Sequence, residues 1–344
     1  MNDDVLAITL LWGFVVLYSV AGTIDFGSGF YSMLYRKRPQ TRATTIANKY
    51  LSPSWKVTNV FIVMIVVALF SFFPGASFSL GTVLLIPGSM IVLLLALRSA
   101  FLVFSASAHP RYKRTLEVIS GLSGILIPAL LILVLPITHG NYIGFIEGRP
   151  SLLPDALLTS PSIYAFILFA VFSTLFLSAL LLADYSNVAG ARTAYDVYRK
   201  NALILGPLSF VSALWIVWSV RSEAPWLYAG LWDNQLWLFA STACFMIGYA
   251  LLITAKNRAV PVILPRTAVL LTVFQYVLAS YAYGNAHLPY MIYPDVTISS
   301  GFTTPNTFRA LFVTYIVGSI ILVPGFYLFW RLFMKDKRYV QQED

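Results

Sequence analysis

The chain has 344 residues, of which 58% are hydrophobic and 11% charged, with a mean hydropathy of +0.77 and a formal net charge of +9. Soluble domains carry about 25% charged residues, so this composition places the chain in a lipid bilayer and excludes an ordinary soluble enzyme. A single cysteine, Cys244, excludes an internal disulfide and a cysteine-ligated zinc or iron–sulfur site within the chain.

Apolar runs of about 20 residues, bounded by charge or Gly/Pro clusters, predict about nine transmembrane helices. In chain order they cover residues 6–35, 57–73, 80–105, 118–136, 163–183, 202–220, 236–255, 260–283 and 308–333. Met1-Asn2-Asp3-Asp4 lacks the basic region of a signal peptide, so the first run is expected to persist as a helix. No fixed-period repeat or low-complexity linker divides the chain, and residues 1–344 read as a single polytopic membrane domain.

Basic residues alternate in side along this series. Arg36, Lys37, Arg38, Arg42, Lys49, Lys56, Arg111, Lys113, Arg114, Arg192, Arg199, Lys200, Lys256, Arg258 and Arg266 fall in loops on one side, whereas the opposite loops hold only Arg149 and Arg221. The positive-inside rule puts the N-terminus outside and the C-terminal cluster Arg331, Lys335, Lys337 and Arg338 in the cytoplasm. The excess charge is thereby topological, and no nucleic acid partner is needed to explain it. Trp226, Trp232, Trp237, Tyr281, Tyr283, Tyr290 and Tyr293 lie near outer helix ends, where aromatic rings anchor at the interface. Two longer outer loops, 139–161 and 284–307, are positioned to cover a partner or a site.

Within the first helix, Asp25 is an acid in the middle of an apolar span, a placement that costs roughly 2.5–3.5 kcal/mol on insertion scales. At helical spacing Gly22, Asp25, Gly29 and Ser32 share one face, and small residues there admit close packing of another helix around the carboxyl. Arg98, the one charge within the third helix, falls at a comparable depth in the cytoplasmic half; Asp184 marks the cytoplasmic end of the fifth helix. Two readings of Asp25 are open: a relay carboxyl, whose proton affinity burial and a nearby cation tune, or one member of a static pair with Arg98 or with a partner's group.

Haem in a membrane protein is usually held by His or Met from within a helix. His109, His139 and His287 all lie at helix edges or in loops, and Met64, Met90 and Met246 read as core filler, so no haem is expected in this chain. There is also no phosphate loop, nucleophile elbow or metal-spaced His/Glu cluster. Catalysis, if the chain takes part in any, is shared with another subunit.

The segment Thr23-Ile24-Asp25-Phe26-Gly27-Ser28-Gly29 resembles the Gly-Phe-Asp-x-Gly-x-Gly signature in the first helix of subunit II of cytochrome bd-type quinol oxidases. Pro53-Ser54-Trp55 is similar to the family's Pro-x-Trp before its second helix, and Leu97-Arg98 to its Phe-Arg in the third. The stretch from Tyr293 to Ser300 and the segment from Leu322 to Trp330 resemble the lead into the last helix and that helix itself. The middle third matches only in hydrophobic pattern and length.

The resemblance implies two four-helix bundles plus a peripheral helix, paired with a haem-bearing subunit I across an apolar interface. It implies haems b558, b595 and d in that partner, quinol and oxygen as substrates of the complex, and a bacterial or archaeal plasma membrane location. A small third subunit, bound lipid and a structural quinone are compatible with it. It also implies a cytoplasmic proton route through this subunit, on which Asp25 would stand; Arg98 would either tune that carboxyl or hold helices together. One departure is Lys56, where the family often has an acid after its tryptophan. The alternative outside the family is a proton-coupled secondary transporter with Asp25 as coupling acid; a purely structural scaffold is a third reading.

Overall fold

The computed structural model describes residues 2–104, 109–255, 261 and 263–331, without the side chains of 52–57, 101, 110, 111, 113, 326, 329 and 330. Helix α1 spans Asp3–Tyr35 and is followed by a 3-10 turn, Pro39–Thr41. Then come α2 (Ala43–Phe72), α3 (Pro74–Val83), α4 (Leu85–Phe104), α5 (Pro110–Leu131) and α6 (Val134–Ile137). A hairpin of β1 (Ile143–Ile146) and β2 (Arg149–Leu152) leads to α7 (Pro154–Thr159), α8 (Pro161–Val188), α9 (Arg192–Glu223), α10 (Pro225–Asp233), α11 (Gln235–Thr254) and α12 (Ile263–His287). The pair β3 (Tyr290–Ile292) and β4 (Val296–Thr297), then α13 (Ile298–Gly301) and α14 (Pro305–Trp330), complete the described chain.

Proline organises much of this punctuation. Pro74, Pro154, Pro161, Pro225 and Pro305 each occupy the first turn of a helix. There the missing N–H is one that no helix would use, and the fixed φ suits the turn. Ser160 and Thr304 cap α8 and α14 by accepting from Ser162 N and Thr307 N.

Eight helices among the described residues are long and apolar enough to cross a membrane: Asp3–Tyr35, Leu85–Phe104, Arg114–Ile137, Pro161–Val188, Arg192–Glu223, Gln235–Thr254, Ile263–His287 and Pro305–Gly325. Thr58–Phe72, within α2, is a ninth but shorter apolar length. The predicted helix over 80–105 is split at Leu84 into α3 and α4, and α2 and α9 begin well before the expected 57 and 202. The positions Ser105, Lys256, Arg258, Val260, Lys335, Lys337 and Arg338, and the side chains of Pro53, Ser54, Trp55, Lys56, Arg111 and Lys113, lie outside the described residues.

Packing divides the helices into two antiparallel groups of four. One comprises α1, α2, α4 and α5, and the other α8, α9, α11 and α12; α14 rests peripherally against α1 and α2. The two groups meet along α1 and α8. There Tyr31 donates to the Leu175 carbonyl at 2.9 Å, and Gly27 lies so close to Ser178 that a Cβ would fall 2.2 Å from the serine's own. In the other direction Gly124 of α5 brings its backbone against the Phe26 carbonyl, where a Cβ would sit 2.3 Å from the oxygen. Helix α1 is thus clasped on two sides through glycines, as close packing in lipid requires. Thr193 Oγ1 donates to the Thr41 carbonyl, and Arg199 donates to the carbonyls of Leu252 and Ile253. These bonds collect Arg36, Lys37, Arg38, Arg42, Arg192, Arg199 and Lys200 at one end of the molecule.

At the opposite end, the two long loops fold over the bundles. Tyr293 N donates to the Thr138 carbonyl, and the Trp226 and Tyr293 rings stack with centroids 4.6 Å apart. Trp226 of α10 and Tyr290 and Tyr293 of the second long loop, expected as interface anchors, thus pack on one another and hold that loop to α10.

Candidate functional site

The buried acid sits between three helices of the first bundle. Asp25 of α1 is 2% exposed and Arg98 of α4 is 1% exposed. Arg98 Nη2 lies 3.0 Å from Asp25 Oδ1 and donates to the Asp25 carbonyl at 2.6 Å, while Nη1 donates to the Ser120 carbonyl of α5 at 2.5 Å and to Ser120 Oγ at 3.3 Å. Ser123 returns a bond to the same Ser120 carbonyl at 3.0 Å. The guanidinium carbon lies 5.6 Å from the centre of the Phe26 ring, adding a cation–π contact in a desolvated setting. One arginine therefore ties α4 to α1 and α5, and neither charge is left bare, which is the condition for burying charge at all.

The expected face of α1 supplies the space. At Gly29 a Cβ would lie 2.8 Å from both Nη1 and Nη2 of Arg98, so only glycine lets the guanidinium lie against the helix. Gly22 faces the Phe26 ring, 3.0 Å from where a Cβ would be. Ser32 is 4% exposed and does not touch the pair; it donates to Asn48 Oδ1 of α2 at 2.6 Å. Gly22, Gly29 and Ser32 thus have three separate surroundings on one face, and only Gly29 is shaped by the ion pair.

Two further residues belong to this region and are absent from the sequence expectations. Tyr18, 6% exposed, lies two turns before Asp25 on the same face, and its hydroxyl has no hydrogen-bond partner among the described residues. Asn48 is exposed and reaches Ser32 from the adjoining helix. Extending the Gly22–Asp25–Gly29–Ser32 spacing by one turn finds Tyr18; Asn48 has no such signal, because its pairing depends on how α2 crosses α1.

Asp184 stands apart from this site. It pairs with Arg266 of α12 at 3.4 Å, with side-chain exposures of 17% for the acid and 51% for the arginine. Such an open pair contributes little to stability.

The histidines are engaged elsewhere. His139 Nε2 is 2.8 Å from Tyr283 Oη; His287 contacts Thr138 Oγ1 at 3.2 Å and the Tyr290 carbonyl at 2.8 Å. Burial, aided by the neighbouring His287, pushes the His139 pKa down to about 3, so it stays neutral. Met90 and Met246 point outward, about half exposed, while Met64 packs into an apolar core. These donors do not converge, and among the described residues no group of three or more His, Cys, Asp or Glu could hold a metal ion.

Fold and site together define a class: a polytopic, predominantly helical membrane protein whose described residues hold a deeply buried acid–arginine pair between helices. The family model for cytochrome bd terminal oxidase subunit II matches residues 4–333. The chain is 58% identical to a putative cytochrome bd menaquinol oxidase subunit II of Bacillus subtilis (strain 168), covering 100% of this chain and 99% of that one. It is also similar to the solved bd oxidase of Geobacillus thermodenitrificans, with a TM-score of 0.81 and 34% identity over 98% of this chain and 100% of that one.

The chain belongs to the cytochrome bd terminal oxidase subunit II family. It is a multi-pass protein of the bacterial plasma membrane and a subunit of a quinol:oxygen oxidoreductase. Membership implies a partner subunit I, haem in that partner, and quinol and oxygen as substrates of the complex.

Proposed function

We propose that this chain supports subunit I structurally and supplies a route for cytoplasmic protons toward the oxygen-reducing haem, with Asp25 as the relay carboxyl. The single observation that carries this reading is the Asp25–Arg98 pair, almost fully buried in an apolar bundle yet bonded through only one carboxylate oxygen, Oδ1, in the hydrogen bonds described. An acid held in an apolar span beside a cation is the kind of group from which proton relays in membranes are built. The cluster of basic residues at the Ser32 end supports a cytoplasmic position for that end and an outer N-terminus. The name of the Bacillus subtilis relative supports menaquinol as the electron donor.

The second reading is structural, and one observation favours it: Arg98 bonds backbone carbonyls on two helices as well as the carboxylate. The two readings part in one experiment. Asp25→Asn in the purified two-subunit complex is expected to slow quinol-dependent oxygen consumption at least tenfold, the lower range of proton-transfer contributions being about a hundredfold, with haem content unchanged. Turnover near wild type would remove the relay role; loss of haem or of subunit I from the complex would assign the pair to assembly.

A further inference from the structure

Asp3 pairs with Arg309 at 3.0 Å, and the Phe14 and Tyr315 rings pack with centroids 5.6 Å apart, so α1 and α14 start together and run in the same direction. The groove between them changes character along its length. At the helix starts lies an open cleft of about 440 Å³ whose charged lining is Asp3, Asp4 and Arg309. Deeper along α14 lies an apolar groove of about 460 Å³, walled by Leu10, Ile316, Ile320 and Val323, with Tyr315 and Ser319 as its hydroxyls. Both volumes fall in the range of ligand sites, about 300–1,000 Å³. Arg309, Phe312, Ile316, Ile320 and Val323 follow one another at helical spacing, so one face of α14 lines both cavities and they form a single track. From Arg309 to Val323 the helix rises roughly 21 Å at 1.5 Å per residue, which is one leaflet of a bilayer about 40–45 Å thick with its headgroups.

We propose that this track holds a phospholipid of the ethanolamine type, its phosphate on Arg309, its ammonium on Asp4 and an acyl chain in the groove below. The inference is independent of the reading of Asp25. The Arg309 side chain is 69% exposed, and among the described residues it bonds only through Nε, to Asp3 Oδ2, which leaves both Nη groups to donate. A guanidinium fork of this kind matches a phosphate. Asp4 accepts from Val5 N through Oδ1 at 2.8 Å, and its second oxygen is unengaged among the described residues. Two acids against one arginine give the cleft a negative balance, which disfavours a headgroup that carries only a phosphate. A choline headgroup brings a positive charge but no N–H for the carboxylates; an ethanolamine headgroup brings both. Tyr315 stands roughly 9 Å along the helix from Arg309, on the acyl side of the phosphate. Its hydroxyl is buried without a partner among the described residues, and the ester carbonyls of a lipid are acceptors of the kind it lacks. The apolar groove alone would take any acyl chain, so the selection resides in the charged cleft.

The test measures which lipid the purified complex keeps. Complex stripped of lipid in detergent is incubated with equal amounts of phosphatidylethanolamine, phosphatidylglycerol and phosphatidylcholine, washed, and weighed by native mass spectrometry. The wild type is expected to retain phosphatidylethanolamine in preference to the other two. Arg309→Gln should lower that retention roughly tenfold, as for loss of a hydrogen bond to a charged group, and so should Asp4→Asn, which leaves the Asp3–Arg309 pair intact. Arg149→Gln, at an exposed arginine of the β1–β2 hairpin, should leave it unchanged. Equal retention of the three lipids, no retained lipid in the wild type, or wild-type retention in Asp4→Asn would each overturn the inference. If Arg309→Gln releases subunit I from the complex, Asp4→Asn alone decides.

Discussion

Gly29 gives the sharpest handle on the buried pair, because the three nearest atoms that a methyl there would meet all belong to Arg98. In Gly29→Ala the new Cβ falls 2.8 Å from both Nη1 and Nη2 and 3.2 Å from Cζ of Arg98. The guanidinium cannot simply withdraw, since it is held at 2.5 Å by the Ser120 carbonyl and at 2.6 Å by that of Asp25. Overpacking of this kind costs about 1–3 kcal/mol, rising toward 3–5 kcal/mol if the Asp25–Arg98 contact breaks and leaves a buried charge unpaired. Alanine in a helix is otherwise favoured over glycine by about 1 kcal/mol, so the comparison is with Gly13→Ala on the same helix, where a Cβ meets nothing within 4 Å. At roughly 2 °C per kcal/mol for a chain of this size, the thermal midpoint of the purified complex should fall roughly 2–6 °C below that of Gly13→Ala. In an Arg98→Gln background the penalty of Gly29→Ala should shrink toward zero, because the clash has lost its target. Equal midpoints for Gly29→Ala and Gly13→Ala, or an undiminished penalty without Arg98, would refute the close approach.

Two further outcomes concern the outer face. His139 has a folded pKa of about 3 against an ordinary 6.5, so between these values the unfolded chain binds more protons and stability rises with pH. The contribution is complete above pH 6.5 and falls as the medium is acidified, by about 2 kcal/mol at pH 5; thermal midpoints at pH 5 and 7 should converge in His139→Gln. Tyr142, whose hydroxyl burial and the bond to Glu223 raise above the usual phenol range, donates to Glu223 Oε2 at 2.5 Å, while Ser160 donates to Oε1 at 2.8 Å. Removing that donor in Tyr142→Phe should cost about 1.5–3 kcal/mol, as expected for a bond to a charged acceptor, and should speed amide exchange in the β1–β2 hairpin; unchanged exchange would count against it.

The membrane class, helix order and apolar spans were legible because lipid imposes one rule on every span: long, apolar and internally hydrogen-bonded. That rule is silent where the chain lies at the surface. Pro74, just past the run expected to end at 73, and Pro225, between the runs expected to end at 220 and begin at 236, are starts of α3 and α10, which no apolar run announces. At the site, helical spacing was enough to group Gly22, Asp25, Gly29 and Ser32, since neighbours along one helix follow from its pitch. The partners from other helices, Ser120 and Asn48, depend on crossing geometry that no local pattern encodes. Arg98 lay between these cases: its depth matched that of Asp25, but the reason for Gly29 emerged only with the guanidinium laid against it.

Two of the bonds that hold Arg98 run to peptide carbonyls, which have no proton to gain or lose at any pH a cell meets. Neutralising Asp25 therefore loosens one of the guanidinium's anchors and leaves the others in place. The strut between helices and the carboxylate share a salt bridge without sharing a fate. Bonds to peptide carbonyls thus keep α1, α4 and α5 fastened together whatever happens at the carboxylate, so the relay proposed above asks no helix to shift.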